Sequence, residues 1–417
     1  MSSEKSYDAI DQALSSDNVS IQKIDLESEG EIFKRGGGYE DFRTVGWIQT
    51  TIIFTKIIFA TGVLTIPSAM YTLGAFPGAI NVLGWQFLST IADMGNLVGG
   101  KIVKELVGIL FLVAFVLVGA SGIVDTSTAL NALSNHSLCT NYFSIIATVM
   151  VFIAGSPRKF EKIAWVTVGV TTLDRPAAAP QTGDFDFGYH VIGHPTFAAG
   201  MAADSIFCSG AGTGAFLPAL NWCMGFVTAA YLTFSIVVYG YCGKWVASPS
   251  LGRAGPLTKK IAYGIGIIGL MVSGALFNHV SAKYIFVRIL RDSKHLQANS
   301  WVHWSVWLRT LAAINVIGFL IASGVPIFNY LLSLAGSLAF APLALALPGW
   351  LRIYDHKEYY RGTWLQRVLY ALHVLMILIA LFLCVGGTYG VIVQVMHAYW
   401  DGSIDSAFSC ADNSNSS

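Results

Sequence analysis

Nine apolar stretches recur along this chain: 46–66, 72–91, 106–124, 195–219, 222–242, 261–282, 302–323, 325–348 and 368–396. Each is close to the roughly 20 residues a helix needs to cross the hydrocarbon core of a bilayer. Charge is correspondingly scarce. Of the 25 Lys+Arg and 24 Asp+Glu, 15 fall in the first 44 residues, which leaves too few to solvate one large globule. The pattern predicts an all-α polytopic membrane protein. A net charge of +1 gives no electrostatic footprint for nucleic acid.

Two shorter apolar segments, 143–154 and 163–170, flank the charged turn Ser156-Pro157-Arg158-Lys159-Phe160-Glu161-Lys162, which prevents their fusing into one helix. Orientation follows from Lys and Arg in short loops. Lys34, Arg35 and Arg43; Lys101 and Lys104; Arg158, Lys159 and Lys162; Lys283, Arg288, Arg291 and Lys294; and Arg352, Lys357, Arg361 and Arg367 share one side only if both short segments count as passages. That gives eleven passes. Lys244, Arg253, Lys259 and Lys260 then fall on the wrong side. Three regions result: a disordered acidic cytoplasmic tail over 1–44, a membrane domain over 45–396, and a polar extracytoplasmic tail over 397–417 without Lys or Arg. The N-terminus has no apolar core of a signal peptide. On this topology Asn135-His136-Ser137 is an outward sequon, a glycosylation candidate.

Four cysteines (Cys208, Cys223, Cys242, Cys384) lie in apolar stretches, and Cys139 and Cys410 lie in polar ones; none has metal-ligand or redox spacing. No metal or other cofactor is expected. An intramembrane enzyme needs converging catalytic groups at depth, and the spans offer only Asp204 and scattered histidines.

Two spans carry breaks. In Ile58-Phe59-Ala60-Thr61-Gly62-Val63-Leu64, followed by Pro67, glycine frees the backbone and proline removes a donor. In Ile206-Phe207-Cys208-Ser209-Gly210-Ala211-Gly212-Thr213-Gly214, followed by Pro218, three glycines crowd one stretch. Both share the pattern Ile-Phe-small-hydroxyl-Gly. Lipid cannot satisfy irregular backbone, so such breaks must face protein or a polar cavity. Paired interruptions in corresponding positions point to a binding site between two inverted halves. A half-helix N-terminus suits a carboxylate, and unwound carbonyls suit an ammonium group. An α-amino acid has both needs. The bland alternative is two glycine-rich packing faces.

These residues, together with Leu73-Gly74, Phe207 to Pro218, Cys242-Gly243-Lys244 and Phe328-Asn329-Tyr330-Leu331-Leu332, resemble the amino acid/auxin permease family, and within it the fungal neutral amino acid permeases. The resemblance runs from about Gly46 to about Gly390. It implies a five-plus-five inverted-repeat fold with discontinuous first and sixth helices. It also implies alternating access and symport of amino acids with H+ or Na+, usually H+. Carried onto this chain, it implies substrate-binding roles for Ala60, Thr61, Gly62, Val63 and Leu64, and for Phe207, Ser209, Gly210, Gly212 and Thr213, walled by the third and eighth spans. The chain departs from the family pattern in its fifth helix, cut to Ile163–Val170, in the direct run Pro218-Ala219-Leu220-Asn221-Trp222, and in a shortened loop after Thr90.

Lys56 and Asp204 are gating or coupling candidates, being ionisable groups beside the two breaks. His279 and His373 read as hydrogen-bonded bundle residues. Three readings stay open: a transporter of neutral amino acids in the plasma rather than the vacuolar membrane; a non-transporting amino acid receptor or sensor; and a transporter disabled by its missing segments.

Overall fold

A computed structural model of the chain describes residues 66–77, 79, 95–157, 190–193, 195–199, 201–202, 217–245, 256–291, 293–402 and 406–413. These residues are overwhelmingly helical, and no strand occurs among them. In chain order the helices are α1 (Ile66–Leu73), α2 (Gly95–Ser134), α3 (Thr140–Gly155), α4 (Leu217–Cys242), α5 (Pro256–Leu290), α6 (Trp301–Gly324), α7 (Phe328–Ala335), α8 (Leu347–Asp355) and α9 (Trp364–Trp400). Two π-helical stretches, Gly336–Phe340 and Pro342–Ala346, join α7 to α8. The segment Phe328–Asp355 thus forms one rod that is apolar enough to span, like Ile102–Ser134, Leu257–Leu290, Trp301–Gly324 and Trp364–Trp400. The protein is an all-α polytopic membrane protein, as its apolar runs predict.

The centre of the bundle is α2, packed against α3, α5, α6 and α7. Its contact with α5 is the closest. A Cβ built on Gly122 would stand 2.5 Å from the Cα of Gly274, and one on Gly119 only 1.9 Å from Asn278 Oδ1. Small residues let membrane helices meet backbone to backbone. Hydroxyls along α2 are absorbed locally: Ser121 Oγ donates to the Val118 carbonyl at 2.8 Å, and Thr126 Oγ1 to the Gly122 carbonyl at 2.8 Å. The core continues through Phe115, Ile123, Tyr231, Phe277, Phe328 and Leu331. By contrast, 72% of the most apolar window of the α7–α8 rod is buried but only 11% of that of α9. The rod is therefore interior, and α9 is a lipid-facing strut.

Local signals explain several helix ends. Ser300 caps α6 by accepting from the His303 amide, and Thr363 with Gln366 forms a capping box at the start of α9. At the end of α2, Asn135 and His136 both take φ of 54°, and His136 donates its amide to the Asn131 carbonyl at 3.0 Å. The turn leads to Cys139, which is disulfide-bonded to Cys410, 271 residues away. Residues 406–413 lie across this end of the bundle. Phe408 donates its amide to the Ser323 carbonyl at 3.0 Å, Asn131 donates to Asn413 Oδ1 at 2.8 Å, and Thr140 and Asn141 donate to the carbonyls of Ala411 and Phe408. At the opposite end, Arg288 of α5 pairs with Glu105 of α2 and donates to Tyr284.

Several expected boundaries move. The third span, expected at 106–124, extends across 95–134, because hydroxyls that bond to their own helix backbone, such as Ser121 and Thr126, let a helix outrun its apolar stretch. Lys101 and Lys104, Lys283 and Arg288, Arg352, and Arg367 accordingly sit on helices rather than in loops. The segment expected at 143–154 is a helix of 16 residues. Residues 72 and 73, expected to begin the second span, close α1 at Gly74, whose φ of 95° suits glycine. Pro67 lies within α1, next to its first residue, a place where a missing N–H is tolerated. The expected divide between 219 and 222 is absent: α4 runs unbroken from Leu217, with Pro218 second in the helix. The shortened fifth helix and the loop after Thr90 lie outside the described residues.

Lys259, one of the basic residues on the unexpected side, is buried and interacts electrostatically with Asp412 of the C-terminal segment. It is not a free loop cation, which weakens its vote on orientation. His279 fits its expectation: Nδ1 contacts the Gly155 carbonyl at 3.0 Å, and the ring lies edge-to-face on Trp307 at 4.8 Å. His373 contacts the Leu369 carbonyl of its own helix.

Candidate functional site

The residues expected to bind substrate, Ala60 to Leu64 and Phe207, Ser209, Gly210, Gly212 and Thr213, lie outside the described residues, as do Lys56 and Asp204. Their chain neighbours are described, and they converge. Ser68 and Thr72 of α1, a turn or two beyond Leu64, meet Asn329, Tyr330 and Ser333 of α7. Ala199 and Ala202, a few residues before Phe207, complete the wall with Gln394 of α9. Together they enclose a recess of about 130 Å³.

The Phe328-Asn329-Tyr330-Leu331-Leu332 motif accounts for one side of this recess. Phe328, Leu331 and Leu332 are each 1% exposed and anchor the first turns of α7 in the core. Asn329 thereby faces α1, where Nδ2 donates to Ser68 Oγ at 3.1 Å. Thr72 Oγ1 donates to the Ser68 carbonyl at 3.2 Å, bracing the same turn. Asn329 Oδ1 is buried and has no hydrogen-bond partner among the described residues. A buried amide oxygen without a donor is costly, so this atom is an open acceptor beside a cavity.

Among the described residues, no charged side chain lines the recess. Hydroxyls and carboxamides can accept from an ammonium group and donate to a carboxylate, so the described lining matches a solute whose own charges cancel. Among the described residues no group of three or more His, Cys, Asp or Glu could hold a metal ion.

A second polar region lies where α2, α5 and α6 meet. Asn278 donates to Asn315 Oδ1 at 3.0 Å, and Asn315 donates to the Leu311 carbonyl at 2.8 Å. Higher on the same helices Asp125 is 2% exposed and Tyr263 is 1% exposed. Sequence reasoning missed Asp125, because the third apolar run ends at Val124 and the acid reads as its boundary. The hydroxyl-rich Asp125-Thr126-Ser127-Thr128, followed by Ala129-Leu130-Asn131-Ala132-Leu133, carries the signal that the helix continues.

Comparison with known proteins bears on both regions. The profile of the family described as transmembrane amino acid transporter protein matches residues 214–393, which include α4 to α7 and the Asn329 motif. A protein named "Transmembrane transporter" from Gibberella moniliformis is 41% identical, over 92% of this chain and 91% of its own length. The chain belongs to the transmembrane amino acid transporter family. A relative of the same name in Fusarium pseudograminearum is 39% identical, with 92% and 90% covered. The "N amino acid transport system protein" of Neurospora crassa is 23% identical, with 92% and 94% covered. Asn329, Tyr330 and Ser333 of the recess therefore lie within the segment that the family profile matches. The Gibberella alignment spans 431 positions, more than the 417 residues of the whole chain, so that relative has positions with no counterpart here.

Proposed function

We propose that this protein moves neutral amino acids across the plasma membrane by alternating access, coupled to the inward movement of protons. The observation that carries the reading is the recess between Ser68 and Asn329, polar and uncharged among its described residues, with its open acceptor. An α-amino acid would bind where this recess continues toward Ala60, Thr61, Gly62, Val63 and Leu64 on one side. On the other side it would meet Phe207, Ser209, Gly210, Gly212 and Thr213. The two breaks would relate inverted halves of five helices each, with Lys56 and Asp204 setting gate stability.

In this reading the disulfide end faces outward. Disulfides persist in oxidising compartments, and Lys104, Arg288, Arg291, Lys294, Arg352, Lys357, Arg361 and Arg367 gather toward the other end, as the positive-inside rule requires. Asn135 is exposed next to the Cys139 turn, open to glycosylation. The polar tail after Trp400 is extracytoplasmic, and residues 1–44 form an acidic cytoplasmic tail.

The test is uptake of labelled neutral amino acids by transport-deficient cells expressing the chain, from about pH 5 to about pH 8. Acid-stimulated uptake that Asn329→Leu abolishes supports the reading; wild-type expression at the surface without uptake opposes it. The unmatched positions of the Gibberella relative favour one second reading, a receptor that binds amino acid without moving it. Saturable binding without flux would identify that case.

A further inference from the structure

We propose that Asp125 is the group that takes up and releases the coupling proton. The inference rests on the proton-coupled reading above and adds the residue that performs the coupling.

Asp125 is the sole acid buried among the described residues. Its Oδ2 is buried and has no hydrogen-bond partner among them. A structural aspartate inside a helical bundle is ordinarily held by donors or a cation, because an isolated carboxylate is badly solvated there. Two of the local hydroxyls are engaged elsewhere: Ser121 and Thr126 donate to their own helix backbone. Ser127 accepts from Ser144 and Asn413. Oδ2 therefore has no described donor or cation to hold a negative charge, and the group needs water to ionise.

The surroundings suit an exchangeable proton. From α5, Tyr263 lies within electrostatic reach of Asp125, and its hydroxyl is likewise buried without a hydrogen-bond partner among the described residues. One turn before it, Lys259 interacts with Asp412 of the C-terminal segment. Helix α7 contributes Tyr330, and α3 only Tyr142, which is exposed. Helix α6 contributes no titratable side chain between Thr310 and Gly324. On α2 itself, Lys104 and Glu105 lie toward one end, and His136 follows the other end in the turn after Ser134. No described cation is positioned to hold Asp125 permanently charged.

Asp125 lies nine residues below Ser134, about 14 Å at ~1.5 Å per residue, so it is deep but not remote from the disulfide end. Its helix packs on α7, which carries the recess. The step is a simple protonation. A proton from water on the outward side forms an O–H bond on the carboxylate, the neutral acid crosses with the closed, substrate-loaded site, and the proton leaves to water on the inward side. One positive charge moves with each zwitterion.

The experiment is labelled amino acid uptake and counterflow in liposomes containing the full-length protein, comparing wild type with Asp125→Asn. Wild type should accumulate substrate under an acid-outside gradient, and accumulation should collapse with a protonophore. Asp125→Asn should lose gradient-driven accumulation at least tenfold, while counterflow exchange remains measurable and no longer changes with pH. If wild type ignores the gradient, the proton-coupled reading fails and takes this inference with it. If wild type responds and Asp125→Asn responds equally, the reading survives and Asp125 is not the carrier. Should Asp125→Asn fail to fold, Asp125→Glu carries the test, because its longer stem moves the carboxyl. A displaced pH profile is then expected, and an unchanged one overturns the assignment.

Discussion

The glycine seam between α2 and α5 makes an asymmetric prediction. A methyl on Gly122 would lie 2.5 Å from the Gly274 Cα and 3.0 Å from its nitrogen, and both are backbone atoms that no rotamer change can move. Comfortable carbon contacts are about 3.5–4.0 Å, so Gly122→Ala must push the helices apart by on the order of 1 Å. A gap of that size forfeits a quarter to a half of each contact's attraction. Overpacking of this kind costs about 1–3 kcal/mol. The reverse substitution, Gly274→Ala, meets the Gly122 Cα at 3.2 Å, and a few tenths of an ångström relieve it. Gly269, on the same helix, has nothing within 4 Å, so Gly269→Ala should be neutral or stabilising by up to roughly 1 kcal/mol. Thermal unfolding in detergent, followed by a dye that reacts with exposed thiols, reads the series. Gly122→Ala should lower Tm by on the order of a few degrees, Gly274→Ala by less, and Gly269→Ala not at all. Equal melting of the Gly122 and Gly269 variants would refute the close seam.

Three further outcomes are expected. Maleimide labelling of the denatured protein should gain two sites after reduction, and Cys139→Ser should gain one free thiol, at Cys410, without reductant; full labelling before reduction would contradict the pairing. Breaking the bridge should also loosen residues 406–413 and destabilise the fold by about 2–4 kcal/mol, seen as a lower Tm. Asn135→Gln should remove an endoglycosidase-sensitive mobility shift in fungal cells, and a shift unaltered by the substitution would place the glycan elsewhere.

Much of the membrane architecture was legible because lipid enforces a simple rule. Every backbone polar group must be satisfied within the segment, so apolar run length locates α6 to within one residue at each end, whereas α5 starts five residues before its apolar run and ends eight after it, and the α7–α8 rod ends seven residues later than its run. Helix α2 outran the same rule at both ends. Asp125, Thr126 and Asn131 look like the start of a loop when hydropathy is read alone. The disulfide was illegible for a different reason: Cys139 and Cys410 are 271 residues apart, and only the folded bundle brings the α2–α3 turn to the tail. The Asn329 motif was visible as a family signature, but its partner Ser68 was not. That contact depends on how α1 packs after Pro67. The paired breaks at Gly62 and Gly210, which carry the expected substrate contacts, rest on the sequence pattern and lie outside the described residues.

The most direct test of the account is accumulation of a labelled neutral amino acid by liposomes that contain the purified protein, under an imposed acid-outside gradient. The account predicts saturable accumulation that depends on the gradient and is lost in Asn329→Leu. Saturable binding of the same amino acid without any accumulation would contradict it.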